Sequence, residues 1–179
     1  MKNRLAAVGS LRCYIATGRS GESLLTVSFA LERGLVLRLA TGEAEVTCHA
    51  TNLPGPRTDP LADLVRALRM FTSGMSDASC RWPGEAGGAF LDLTRIDEHR
   101  CGIAVHSFAH PEWLTNESWL PRRGPLLFGA QLQLPNLVSA FIEALEELRT
   151  RHGDDLRERW PWPFPHVELS RLAAAQNLR

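Results

Sequence analysis

The sequence predicts an α+β fold: curved antiparallel β-sheet of about seven or eight strands, with two amphipathic helices packed on one face. Three observations lead there. The first third alternates apolar and polar residues between tight turns. Two segments switch to helical spacing, one after each group of strands. A second alternating group lies between the two helical segments.

A first strand over Leu11–Thr17 ends at Gly18-Arg19-Ser20-Gly21. Leu25, Val27, Phe29 and Leu31 then alternate with Thr26, Ser28 and Ala30, the period of a half-buried strand. Gly34 marks a turn, and Leu35, Leu37 and Leu39 alternate again. After Thr41-Gly42, Ala44, Val46, Cys48 and Ala50 alternate with Glu45, Thr47 and His49. Short strands joined by tight turns make a meander.

Thr51–Thr58 holds two prolines and a glycine and reads as a loop. Asp59-Pro60 opens a helix: Asp accepts from the free N–H groups, and Pro fits the first helical position because its missing N–H has no partner there anyway. Leu61, Leu64, Val65, Leu68 and Phe71 share one face, and Gly74 is the expected stop. Strands follow at Ser79–Trp82, Phe90–Thr94 and Cys101–Phe108, the last two joined by a turn at Asp97-Glu98-His99-Arg100. Pro111–Gly124 is a long loop, and Phe128, Ala130, Leu132 and Leu134 alternate beyond it. The second helix runs from about Pro135 to His152 and stops at Gly153, its apolar face carrying Leu137, Val138, Phe141, Ile142, Leu145 and Leu148. This makes residues 1–153 a single α+β domain. Residues 154–179 form a tail in which Trp160-Pro161-Trp162-Pro163-Phe164-Pro165 is extended and Val167–Gln176 is a short helix packing on the domain.

Composition narrows the function. The chain has 179 residues, and Lys+Arg and Asp+Glu each number 20, so the net charge is zero. That balance excludes a nucleic-acid binder driven by bulk positive charge. No apolar run approaches the ~18 residues of a membrane span. The positive start Met1-Lys2-Asn3-Arg4 is followed by only Leu5-Ala6-Ala7-Val8, too short for a secretory core, so a cytoplasmic location is expected. Cys13, Cys48, Cys80 and Cys101 are far apart in sequence and read as buried free thiols.

No reaction motif emerges, and neither enzyme activity nor a cofactor or metal is expected. The loop Thr17–Ser23 lacks the lysine of a phosphate-binding loop, and Ser20 is not in a nucleophile elbow. His106 and His110 lie on a strand, where four residues span roughly 13 Å, too far to share an ion. Asp92, Asp97 and Glu98 have the residue types for acid–base work, but turns favour Asp for backbone reasons. The aromatics say more. Trp113 and Trp119 fall in the long loop and Trp160 and Trp162 in the proline strip, beside Arg122, Arg123, Arg157 and Arg159. Trp and Arg dominate protein–protein hot spots.

From residue 60 to 152 the order is a capped helix with Leu61, Leu64, Leu68 and Phe71, then Trp82-Pro83-Gly84-Glu85, Leu91-Asp92-Leu93, a turn at Asp97, the strand Cys101–Phe108, the strand Leu126–Leu134 and the helix Leu137–Leu148. This pattern resembles the small immunity proteins of bacterial polymorphic toxin systems, the WapI-type group and its relatives. The resemblance implies a non-catalytic inhibitor that covers the active site of one cognate toxin protein. Asp92, Asp97, Glu98, Glu112 and Glu117 would answer a basic cleft, with Trp113 and Trp119 as anchors and Arg122 and Arg123 beside them. One competing reading is a ligand-binding or enzymatic domain using the concave sheet face, lined by Thr47, His106, Gln131 and Gln133; another is an assembly adaptor that presents the proline–tryptophan strip to a groove-binding partner.

Overall fold

The computed structural model describes residues 24–32, 34–42, 44–51, 59–84, 87–109 and 122–177. The fold is α+β, with two antiparallel sheets and three helices. The first sheet is the meander β1 (Thr26–Leu31), β2 (Leu35–Thr41) and β3 (Ala44–Ala50). Helix α1 (Pro60–Thr72) leads into the second, β4 (Asp77–Gly84), β5 (Gly87–Arg95), β6 (Arg100–Ala109) and β7 (Leu126–Gln133), in that spatial order. Helices α2 (Leu134–Arg159) and α3 (His166–Asn177) close the chain. The expected strand Leu11–Thr17 lies outside the described residues.

The two inner sheet faces share one core. Phe29 of β1 meets Trp82 of β4 with ring centroids 6.1 Å apart. Leu35, Leu37 and Leu39 of β2 are fully buried there, as are Leu61, Leu64, Val65, Leu68 and Phe71 of α1. Helix α1 starts as the sequence suggests: Asp59 Oδ1 accepts the Leu61 N–H at 3.0 Å. It ends at Gly74, whose φ of +106° is open to glycine and costly for other residues. Arg95 holds that end, donating from Nη2 to Phe71 O at 2.6 Å and lying 5.1 Å over the Phe71 ring.

The second helix departs from expectation. Gly153 leaves the helical region as expected, with φ 26° and ψ −107°, but a second helical segment follows directly across the kink and runs to Arg159. The reason is packing: Leu156, one turn beyond the kink, is buried in the same core as Leu145 and Leu148. Trp160, Leu169 and Leu172 join it, so residues after 153 complete the domain's interior. Within the proline strip the two tryptophans divide. Trp160 is buried, while Trp162 stands half-buried at its edge, 5.1 Å away between ring centroids.

Candidate interaction surface

Alternation along β5 and β6 sends two different chemistries to the two faces of the second sheet. Leu91, Leu93, Ile103 and Val105 face the core and are buried. Phe90, Asp92, Ala104, His106 and Phe108 stand on the outer face. There Phe90 and Phe108 meet at 5.1 Å between centroids. Asp92 is cross-strand from Ser79 on β4 and from Ala104 on β6.

Arg123 lies across this face. Its Nε and Nη2 donate to Asp92 Oδ2 and Oδ1, both at 2.7 Å, and Nη2 also reaches Ser79 Oγ at 3.3 Å. The guanidinium stacks 4.7 Å over the Phe90 ring. Backbone bonds fix the neighbouring residues: Ser107 N–H donates to Pro125 O at 3.0 Å and Gly124 N–H to Ser107 O at 2.7 Å. The His106 Nδ1 lies 3.3 Å from Gly124 O. Burial pushes the Asp92 carboxyl upward, but the hydrogen bonds from Arg123 and Ser79 and the Arg123 charge outweigh it and hold it below the usual carboxylate range. The Arg123 side chain nonetheless remains 50% exposed.

The expected partner-binding residues therefore separate into groups. Asp92 and Arg123 pair with each other, and Arg122 is exposed next to them. Asp97 and Glu98 sit in the β5–β6 turn, roughly 15 Å along the strand from Asp92. Asp97 is committed locally. It accepts from Arg100 Nε at 2.6 Å and from the His99 and Arg100 N–H groups at 2.9 and 2.7 Å, which lower its pKa to about 2. Glu98 is exposed in the same turn. Glu112, Trp113, Glu117 and Trp119 lie outside the described residues.

Sequence reasoning missed the feature beside this face. A groove of about 710 Å³ runs between α1 and β4, walled by Asp59, Asp63 and Arg66 on one side and by Ser79, Arg81 and Arg123 on the other. Trp162 stands at it too, and Thr47, His106, Gln131 and Gln133 do not line it. One residue carried the missing signal: Pro83 cannot donate to a ladder, so a strand containing it belongs at a sheet edge. β4 is such an edge.

No protein-family model, curated protein or solved structure matches this chain. Function has to be drawn from the surface itself. The thiols give little chemistry: burial raises Cys48 to about 12 and Cys101 to about 11 and pushes Cys80 up as well, so all three are protonated at neutral pH. Among the described residues no cluster of three His, Cys, Asp or Glu side chains is placed to hold a metal ion. Among them, too, no helix is long and apolar enough to cross a membrane.

Proposed function

We propose that this chain is an immunity protein, a non-catalytic inhibitor that binds a cognate bacterial toxin in the cytoplasm and covers its active site. The observation that carries the reading is Arg123. Its guanidinium is held by Asp92 and Phe90 yet remains half-exposed on the outer face of the second sheet. Arginine and aromatic side chains carry most of the energy of protein interfaces. One that is already immobilised loses little side-chain entropy on binding. The exposed Arg122 beside it and the acidic turn at Glu98 give the sheet regions of opposite sign, the means by which interfaces choose partners. The open groove along β4 extends the surface toward the ~1,600 Å² that stable complexes bury.

The test is co-expression with the neighbouring open reading frame, followed by purification through a tag on this chain. The expected result is a stoichiometric partner that is lethal when produced alone and harmless beside this protein. Arg123→Ala should weaken that complex about thirtyfold or more, the range of a hot-spot residue. A chain that purifies alone and protects against nothing overturns the reading.

A further inference from the structure

The backbone of β4 has one side that its own sheet does not use. Residues 76, 78, 80, 82 and 84 point their N–H and C=O groups at β5, and two bonds establish this parity. Arg95 N–H donates to Ser76 O at 2.7 Å, in line with the β4–β5 register, so even-numbered residues face β5. Thr51 N–H donates to Pro83 O at 3.0 Å from beyond the end of β3, so odd-numbered residues face the other way. The register runs unbroken from Asp77↔Thr94 to Gly84↔Gly87, which carries that parity along the whole strand. Ser79 and Arg81 therefore turn their backbone groups into the groove beside α1, and among the described residues no backbone group meets them there. Unpaired strand edges are ordinarily covered, bulged or shortened, because they template pairing with another chain. This one is eight residues long and regular in register.

Its surroundings define what fits. The Thr51–Pro83 bond already adds one backbone partner at the far end of the edge, and Arg81 and Ser79 follow it within the groove. Helix α1 walls the opening with Asp59, Asp63, Arg66 and Met70. A second copy's β4 is flanked by its own α1 in the same way, so two such edges cannot close on each other face to face. The volume of about 710 Å³ lies within the roughly 300–1,000 Å³ of ligand-binding clefts. The charges are mostly spoken for. Arg66 pairs with Asp63 at 2.8 Å, and Arg123 pairs with Asp92. Arg81 stands half-buried on the wall opposite α1 with no ion pair among the described residues. Phe90 is directly cross-strand from it.

We infer that the β4 edge is a strand-addition site: it takes an extended segment of a partner protein, which pairs with the Ser79 and Arg81 backbone and presents a carboxylate to the Arg81 guanidinium. Main-chain pairing supplies affinity in this mode, and the side-chain surroundings supply selectivity. The inference rests on the protein-binding reading above and gives it a mode of attachment.

Two measurements test it on the full chain. The first is amide hydrogen exchange by NMR on the free protein. The Ser79 and Arg81 amides should exchange far faster than those of Cys80 and Trp82, which bond to β5; equal protection would mean the edge is already covered and would overturn the proposal. The second uses a phage-displayed library of random twelve-residue peptides as the probe. Enriched peptides should share an acidic residue at a fixed spacing from alternating apolar residues, and binding should slow exchange at Ser79 and Arg81. Arg81→Glu, which leaves the backbone untouched, should weaken them about tenfold or more and shift selection to basic peptides. Arg81→Pro should abolish binding by removing the donor; if it does not fold, Arg81→Glu and the exchange data decide. No enriched peptide, peptides that leave the two amides unchanged, or a concentration-dependent dimer that slows them instead each overturns the proposal. Full toxin protection by Arg81→Glu together with those failures removes strand addition and leaves the inhibitor reading standing. Peptides that protect Ser79 and Arg81, with no toxin partner in co-expression, remove the inhibitor reading alone.

Discussion

The inner and outer faces of the second sheet come from alternate residues of the same strands, and they are stabilised by different physics. The inner face is a dry apolar layer of Leu91, Leu93, Ile103 and Val105 pressed into the common core. The outer face is an aromatic pair roofed by a charged side chain, with Arg123 over Phe90 and clamped to Asp92. Inner contacts are non-directional and sum over area. Outer ones are directional and partly wet, so each contributes little to stability but a good deal to fixing one side chain in one place. A partner can use that kind of order without the fold depending on it.

The sharpest test of the contrast is Leu91→Ala. It leaves a cavity in the inner layer and should cost about 2–5 kcal/mol, read as a fall in the urea midpoint. A loss below 1 kcal/mol would mean that the layer is not close-packed. Gly88→Ala comes next, because it sits at a tight spot on the outer face. An added Cβ would sit 2.4 Å from Phe108 Cζ and 2.5 Å from the Trp82 carbonyl oxygen. The ring end can swing but the backbone oxygen cannot, so the change should cost about 1–3 kcal/mol. A double-mutant cycle on Asp92→Ala and Arg123→Ala should give a coupling of about 1 kcal/mol or less, since the arginine is half in water. A coupling above 3 kcal/mol would make the outer clamp part of the core's stability and collapse the distinction.

The smallest effect is the pH dependence. Asp92 and Asp97 are both lowered in the folded state, from an unfolded value of about 3.9. Their contribution is complete above pH ~4 and is lost as the pH falls through the folded values, toward about 2 for Asp97. Asp59 has the opposite sign. Burial at the helix start raises it, so its charge opposes folding and that opposition is relieved as the pH falls. Urea midpoints taken between pH 5 and 2 should decline, and Asp97→Asn should flatten the decline. A flat profile in the native chain would contradict the Asp92 and Asp97 clamps.

Much of this was legible in the chain. The cap at Asp59-Pro60, the stop at Gly74 and the turn at Asp97 are local chemistry, decided by the hydrogen-bonding reach of a few neighbouring atoms. The strand alternations of β1 to β3 and of β5 and β6 are likewise local in period. What the chain did not show was non-local. Gly153 reads as a helix stop and does break the helix, but that a second helical segment follows to bury Leu156 is set by the core. Asp92 reads as an acid for a partner's basic cleft, and nothing in its neighbourhood in the chain points to Arg123, 31 residues away, which takes both of its oxygens.

By itself, then, the sequence determined the element types, the faces that would be buried and the α+β class, because periodicity and turn chemistry depend only on residues within a few positions of each other. Only the tertiary structure decided that the odd-numbered backbone groups of β4 turn toward a groove beside α1, that Trp160 closes the core while Trp162 stands at its rim, and that Arg123 is pinned over Phe90. Those facts depend on which distant segments arrive side by side, and that is settled by the packing of the whole core.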